Sequence, residues 1–258
     1  MMRKNPEPLL IIFLCVGLLL GCATTQTQTV DGKKKADAKH QLGNSLLYEK
    51  NYQGAVTELR EAAELDPENP NIHNSLGLAY QGLKLPERAI PHYQKAIQLR
   101  PNFSEYENNL GTAYAAAKQW DLAIQCFQKA ADNYLYRTRH VAYENLGSAY
   151  HNKGDYRRAI ENYKKATEFA KDYAPAYINM GISYEALKEW DNAIGAYKKA
   201  AEIEPDSSLP YLQMGDLYLR LNHQEAAVES LLIAIRNDPN GPYGKEARNL
   251  LATTRKPK

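Results

Sequence analysis

In the stretch Ala174 to Ser207, Tyr177, Met180, Tyr184 and Leu187 recur at spacings of three and four, the period of one helix face. Lys188-Glu189-Trp190 interrupts that pattern, and Asp191 is placed to cap a second helix. Ala193, Ile194, Tyr197, Ala200 and Ala201 share one face of the second helix. Pro205 ends it, because the residue before a proline is driven out of the helical region. The product is a helical hairpin of 34 residues that cannot bury its apolar faces alone, so it implies neighbours.

The neighbours share its register. Gly43, Gly77, Gly111, Gly147, Gly181 and Gly215 mark six first helices at spacings of 34, 34, 36, 34 and 34. Ala55, Ala89, Ala123, Ala159, Ala193 and Ala227 keep the same spacing in the second helices, as do Ala62, Ala96, Ala130, Ala166, Ala200 and Ala234. Small residues at each crossing let helix axes approach to the short end of the range, about 8–10 Å, and a glycine is expected to let backbone meet backbone. On these residues the chain resembles the tetratricopeptide-repeat (TPR) family over 36–241. The resemblance implies an all-α fold: a right-handed TPR superhelix of six helix-turn-helix repeats with a C-terminal capping helix. The repeats fall at 36–69, 70–103, 104–137, 140–173, 174–207 and 208–241. Over 242–258, Ala247, Leu250 and Leu251 sit on one face of a short helix, expected to cover the open end of the last hairpin before a short tail.

The first 35 residues lie outside this pattern. Arg3 and Lys4 precede a run of twelve apolar residues, Leu9 to Leu20, too short for a spanning helix of about 20. Residues 1–21 therefore read as a signal peptide. The run closes Leu19-Leu20-Gly21-Cys22, which resembles a bacterial lipobox. That resemblance implies lipidation of Cys22, with palmitate-type acyl chains holding the protein on a membrane. Ala23 after the cysteine, rather than an aspartate, points within such families to the outer membrane, facing the periplasm. Residues 22–35 form the lipidated tether. The Thr/Gln-rich segment from Ala23 to Lys35 has no apolar period, and its random-coil reach is about 20 Å.

Across 258 residues the net charge is +2, which gives no bulk electrostatic case for nucleic acid. The 19 tyrosines against four phenylalanines fit ring positions at the edges of helix contacts, with hydroxyls reaching water. Of three cysteines, Cys15 lies in the signal and Cys22 carries lipid, so Cys126 is left as a small packing residue. The six histidines show no metal-ligand spacing, and no phosphate loop, GxSxG or HExxH occurs. The expectation is a non-enzymatic, monomeric adaptor with no catalytic residue, no metal and no cofactor beyond the lipid.

In TPR arrays the residue before each Leu-Gly or Met-Gly pair faces the concave groove. Here these are Gln41, Ser75, Asn109, Asn145, Asn179 and Gln213. Asn109, Asn145 and Asn179 resemble the asparagine ladder with which some TPR proteins hold a peptide backbone; in other TPR proteins such residues simply face water. An amide carries both donor and acceptor. The family's cationic clamp for a terminal carboxylate is missing, its sites holding Asp37, His40, Asn71, Asn74, Glu105, Asn108 and Glu144. Ile178, Ile182, Leu209, Leu212 and Leu219 form an apolar strip on the last first helices. Exposed, it is a partner site; alternatively the superhelix or the closing helix covers it.

The join between repeats three and four departs from the period. Leu135, Tyr136, Arg139, Tyr143, Glu144, Asn145, Leu146 and Gly147 resemble the corresponding join in the PilF/PilW pilotin family of type IV pilus biogenesis lipoproteins, with Arg137 where a proline is expected. That resemblance implies a pilotin, an outer-membrane adaptor that binds secretin subunits and promotes their localisation and multimerisation. The competing readings are an outer-membrane scaffold for peptidoglycan enzymes and a structural subunit of an outer-membrane assembly machine.

Overall fold

The computed structural model describes residues 31–254. The chain divides into two compact units, Met1–Pro101 and Asn102–Lys258. In the first, α1 (31–48) pairs with α2 (Tyr52–Leu65), and α3 (Pro70–Gly82) with α4 (Pro86–Leu99). In the second, the pairs are α5 (Ser104–Ala116) with α6 (Trp120–Asp132), α7 (Arg139–Asn152) with α8 (Tyr156–Phe169), α9 (Ala174–Ala186) with α10 (Trp190–Ile203), and α11 (Leu209–Arg220) with α12 (Gln224–Asn237). α13 (Pro242–Thr254) packs on α11 and α12. No strand occurs among the described residues. Residues 31–35 are helical, continuous with the rest of α1, rather than part of the tether. No proline breaks the chain between Asp31 and Ala36. The rest of the tether, the signal peptide and Cys22 lie outside the described residues.

Every hairpin turns in the same way. The turn residues Lys50, Lys84, Lys118, Lys188 and Asn222 have φ between 58° and 63°, and Gly154 has φ 87°. At the fifth turn Lys188 N–H donates to the Glu185 carbonyl (2.8 Å) and Glu189 N–H to the Tyr184 carbonyl (2.9 Å). This is a Schellman closure, which satisfies carbonyls left over at the helix end. It also corrects the expected cap. Glu189 is the N-cap residue, without a side-chain bond to the backbone N–H groups of the first turn, and α10 starts at Trp190. Asp191 lies within the first turn, where its charge complements the helix dipole.

Both alanine registers are sealed: all twelve residues are fully buried. The glycine register works differently from the expected backbone contact. Each glycine faces a large side chain sixteen residues further on, in the partner helix: Leu59, Tyr93, Phe127, Tyr163, Tyr197 and Leu231. A Cβ at Gly77 would lie 2.4 Å from Tyr93 Cε1, and one at Gly181 2.4 Å from Tyr197 Cε1. The missing side chain is thus the seat of a ring. Tyr93, Tyr163 and Tyr197 are buried rather than at water-facing edges. Their hydroxyls find partners inside: Tyr93 donates to Gln81 Oε1 (2.8 Å), Tyr197 to Glu185 Oε1 (2.5 Å), and Tyr163 pairs with Ser148 Oγ (3.2 Å). Burial pushes all three phenols well above the usual range. A ring that fills the glycine gap carries its hydroxyl to a polar group on the first helix, which offsets desolvation.

Candidate functional site

Where first helices of neighbouring repeats meet, the ladder residues are engaged. Asn145 Nδ2 donates to Asn108 Oδ1 (3.1 Å), joining α7 to α5. Asn179 Nδ2 donates to Glu144 Oε1 (2.7 Å), joining α9 to α7. In the first unit Ser75 Oγ donates to Asn44 Oδ1 (2.8 Å) and lies 3.0 Å from His40 Nε2. Asn109 is half-buried, and its carbonyl accepts from Thr112 Oγ1 (2.7 Å). The amides therefore reach back to the preceding repeat, to the residue just before its own ladder position. The sequence showed their row but not this partner, because the pairing spans 35 to 37 residues.

Glu144, noted above as a departure from a cationic clamp and as part of the stretched join, is an acceptor in this row. Its Oε1 takes hydrogen bonds from Asn179 and from Ser148 Oγ (3.1 Å). Burial raises its carboxyl above the usual range, against those two bonds, which lower it.

The apolar strip is not an exposed surface. Ile178 and Leu212 are buried, at 8% and 4% exposure. Ile178 belongs to the core of α9, α10 and α11, against which Ile182 and Leu209 also pack. Leu212 belongs to a core with Leu231, Ala234 and Ala247, against which Leu219, Leu250 and Leu251 pack. α13 closes this end, so hydrophobic burial removes the strip as a groove lining. Asp238 fixes the start of α13 by accepting from the N–H groups of Gly241, Tyr243 and Gly244 at 2.8, 3.0 and 3.2 Å.

The join between α6 and α7 is held from both ends. Asn133 Nδ2 donates to Ser104 Oγ (2.7 Å) and to the Asn102 carbonyl (3.3 Å), while its Oδ1 accepts from Leu135 N–H (3.0 Å). Asn237, at the matching position of α12, donates to the Pro205 carbonyl (2.9 Å). Arg139 Nε donates to the Ala131 carbonyl at the end of α6 (2.8 Å), and its guanidinium lies 4.3 Å above the Phe169 ring. Tyr136 packs on the core, whereas Leu135 is 71% exposed. Of the three junction residues singled out in sequence, Arg139 and Tyr136 hold the join and Leu135 faces outward.

The histidines are less scattered than their spacing suggested. His73 Nδ1 and His92 Nδ1 lie 3.4 Å apart across α3 and α4, and His73 Nε2 lies 2.9 Å from the Pro67 carbonyl. A carbonyl only accepts, so His73 donates its Nε2–H to Pro67. Burial, with a smaller contribution from His73, lowers His92 to about 4. Burial pushes the Cys126 thiol up to about 12. Among the described residues no group of three or more His, Cys, Asp or Glu is placed to hold a metal, and no helix is long and apolar enough to cross a membrane.

Sequence models of the tetratricopeptide repeat match residues 43–84, 70–103, 103–172, 174–207 and 210–240. The chain belongs to the tetratricopeptide-repeat family, and its fold is the all-α helical array of that family. No curated protein sequence matches it significantly. Among solved structures, PilF of Pseudomonas aeruginosa is similar at 23% identity and TM-score 0.69, over 86% of this chain and 99% of that one. PilW, described as a widely conserved type IV pilus biogenesis factor, is similar at 21% identity and TM-score 0.74, over 84% of this chain and 98% of that one. A MamA protein is similar at 28% identity and TM-score 0.58, over 67% of this chain and 93% of that one. At these identities PilF and PilW show a shared fold.

Proposed function

We propose that this chain is a type IV pilus biogenesis adaptor of the pilotin kind. In this reading Cys22 carries a lipid that holds it on the outer membrane, facing the periplasm, and the repeat array binds a secretin subunit and promotes its multimerisation. The observation that carries the reading is length-for-length correspondence. The repeats align with nearly all of PilF and nearly all of PilW. The lipobox-like Leu19-Leu20-Gly21-Cys22 and the stretched join at Leu135, Tyr136 and Arg139 support it independently.

An adaptor needs an address and a shaped surface, not a reactive group. The first helices supply that surface, with Asn109, Asn145 and Asn179 at its centre, where amides can exchange lateral bonds for bonds to a peptide backbone. The test is secretin multimerisation in a deletion strain. Monomeric, mislocalised secretin is expected; normal multimers with normal pili overturn the reading. Cys22→Ser should leave the protein unlipidated and out of the outer-membrane fraction. Unchanged fractionation would remove the anchor from the account.

A further inference from the structure

Glu144 is the anomalous charge on the first helices of the second unit. Two other first-helix carboxylates are similarly withdrawn from water, and each has a cation. Glu107, 12% exposed, lies 3.7 Å from Lys129 Nζ. Glu185, 13% exposed, pairs with Arg220. Glu144 is half-buried and forms no ion pair among the described residues. Its two donors, Ser148 and Asn179, are neutral and both engage Oε1.

A glutamine would accept the same two hydrogen bonds from its amide oxygen, without the desolvation cost of a charge. The negative charge therefore has no use within the array. What the two bonds do achieve is orientation: they fix the carboxylate before any ligand arrives, which lowers the ordering cost of binding. Tyr173 is close enough to feel this charge, which adds to burial in raising its phenol. His140 meets the Tyr173 ring edge-on at 5.1 Å. An aromatic wall beside a carboxylate suits the apolar stem or guanidinium plane of a basic side chain. Asn145, the next residue, is a ladder amide.

We propose that Glu144 takes the ammonium or guanidinium of a lysine or arginine carried by an extended peptide segment of the partner protein. The proposal rests on the reading that a peptide lies along the first helices. A carboxylate recognises a basic side chain as a charge-assisted hydrogen-bond acceptor, and the two ladder amides beside it hold the backbone on either side.

The test is selection of peptides from a random display library on the full chain in detergent, with the wild type and with Glu144→Gln. Wild-type selections are expected to share a lysine or arginine at a fixed position, and Glu144→Gln selections to lose it. Replacing that residue by norleucine in a selected peptide should weaken wild-type binding roughly tenfold or more, and have little effect on Glu144→Gln. Peptides without a basic residue, or an equal norleucine effect on both proteins, overturn the proposal and leave the groove reading standing. No selected peptide at all overturns the groove reading as well. Should Glu144→Gln unfold, the norleucine exchange on the wild type decides alone: unchanged affinity refutes the role of Glu144.

Discussion

The row Asn108, Glu144, Ile178 and Leu212 occupies one position in four successive first helices, yet changes chemistry halfway. At α5 and α7 the row is polar and bonds the ladder amide of the next repeat, on α7 and α9. At α9 and α11 it is apolar and sinks into core. The same backbone geometry thus serves two ends. The apolar contacts bury surface non-directionally and close the array against water. The polar contacts add little net stability each, about 1 kcal/mol, but leave hydrogen-bonding groups near the surface where a ligand can take them over. In the proposed reading, recognition falls to the polar stretch and the apolar stretch anchors it.

The harshest way to break this comparison is to write the polar residue into the apolar end. Leu212→Asn copies the residue at 108. It removes about 2 kcal/mol of apolar burial and leaves an unpaired amide costing about 1–3 kcal/mol. A loss near 4 kcal/mol is expected in chemical denaturation. Because repeats couple mainly to their neighbours, an early phase should appear that reports α11 to α13. A loss below about 1 kcal/mol would mean that α13 does not seal that end.

The reverse exchange is milder. Glu144→Leu removes the acceptor of Asn179 Nδ2, and a half-buried amide deprived of its partner costs about 1–2 kcal/mol. Pairing it with Asn179→Leu should recover most of that loss, since an apolar contact would then replace a polar one, as at Ile178 and Leu212. Failure to recover would show that the polar stretch is fixed by more than this pair. A third exchange tests whether turn strain, rather than row chemistry, separates the repeats. Lys188 sits at φ 61° where the preceding hairpin has Gly154. Lys188→Gly should raise stability by up to about 1 kcal/mol and Gly154→Lys should lower it similarly, because a left-handed residue with a Cβ is strained. These values are to be read from thermal melts of each variant.

The fold was legible in the sequence because glycine and alanine repeat at short, constant intervals. Each marks a crossing that admits only small residues. The seats of the rings that fill the glycine gaps were missed: Tyr197 lies on an apolar face, but the tyrosines as a group are expected at contact edges with hydroxyls in water until the pairing of helices is known. Residues 31–35 looked like tether because three lysines hide helix propensity behind low hydropathy. The strip at Ile178, Leu212 and Leu219 was visible as apolar, but its exposure depends on how α10 and α11 pack on Ile178 and where α13 docks on Leu212 and Leu219. The ladder row could be picked out by its place before each Leu-Gly or Met-Gly pair. Its bonding to Asn108 and Glu144 could not, since lateral contact between repeats joins residues far apart in the chain. Glu144 had a signal available: it stands just before Asn145, in the row that later turns apolar.

The smallest effect is the most discriminating, because it separates a recognition charge from a structural one. In the folded chain burial raises the Glu144 carboxyl above its reference of 4.5, against the lowering by Ser148 and Asn179. A carboxyl raised on folding binds its proton more tightly in the folded state. Its stabilising contribution is therefore present below the unfolded value and is lost as pH rises through the folded value. At neutral pH the ionised side chain is then a net cost, which Glu144→Gln removes. Glu144→Gln should match the wild type under acid conditions and be the more stable of the two at neutral pH. The difference between their melting temperatures should open across the interval just above 4.5. If Glu144→Gln is instead the less stable at neutral pH, the charge supports the array and its structural role suffices. If it is more stable, the array retains a charge it would fold better without, as expected of a group held ready for a cation from outside.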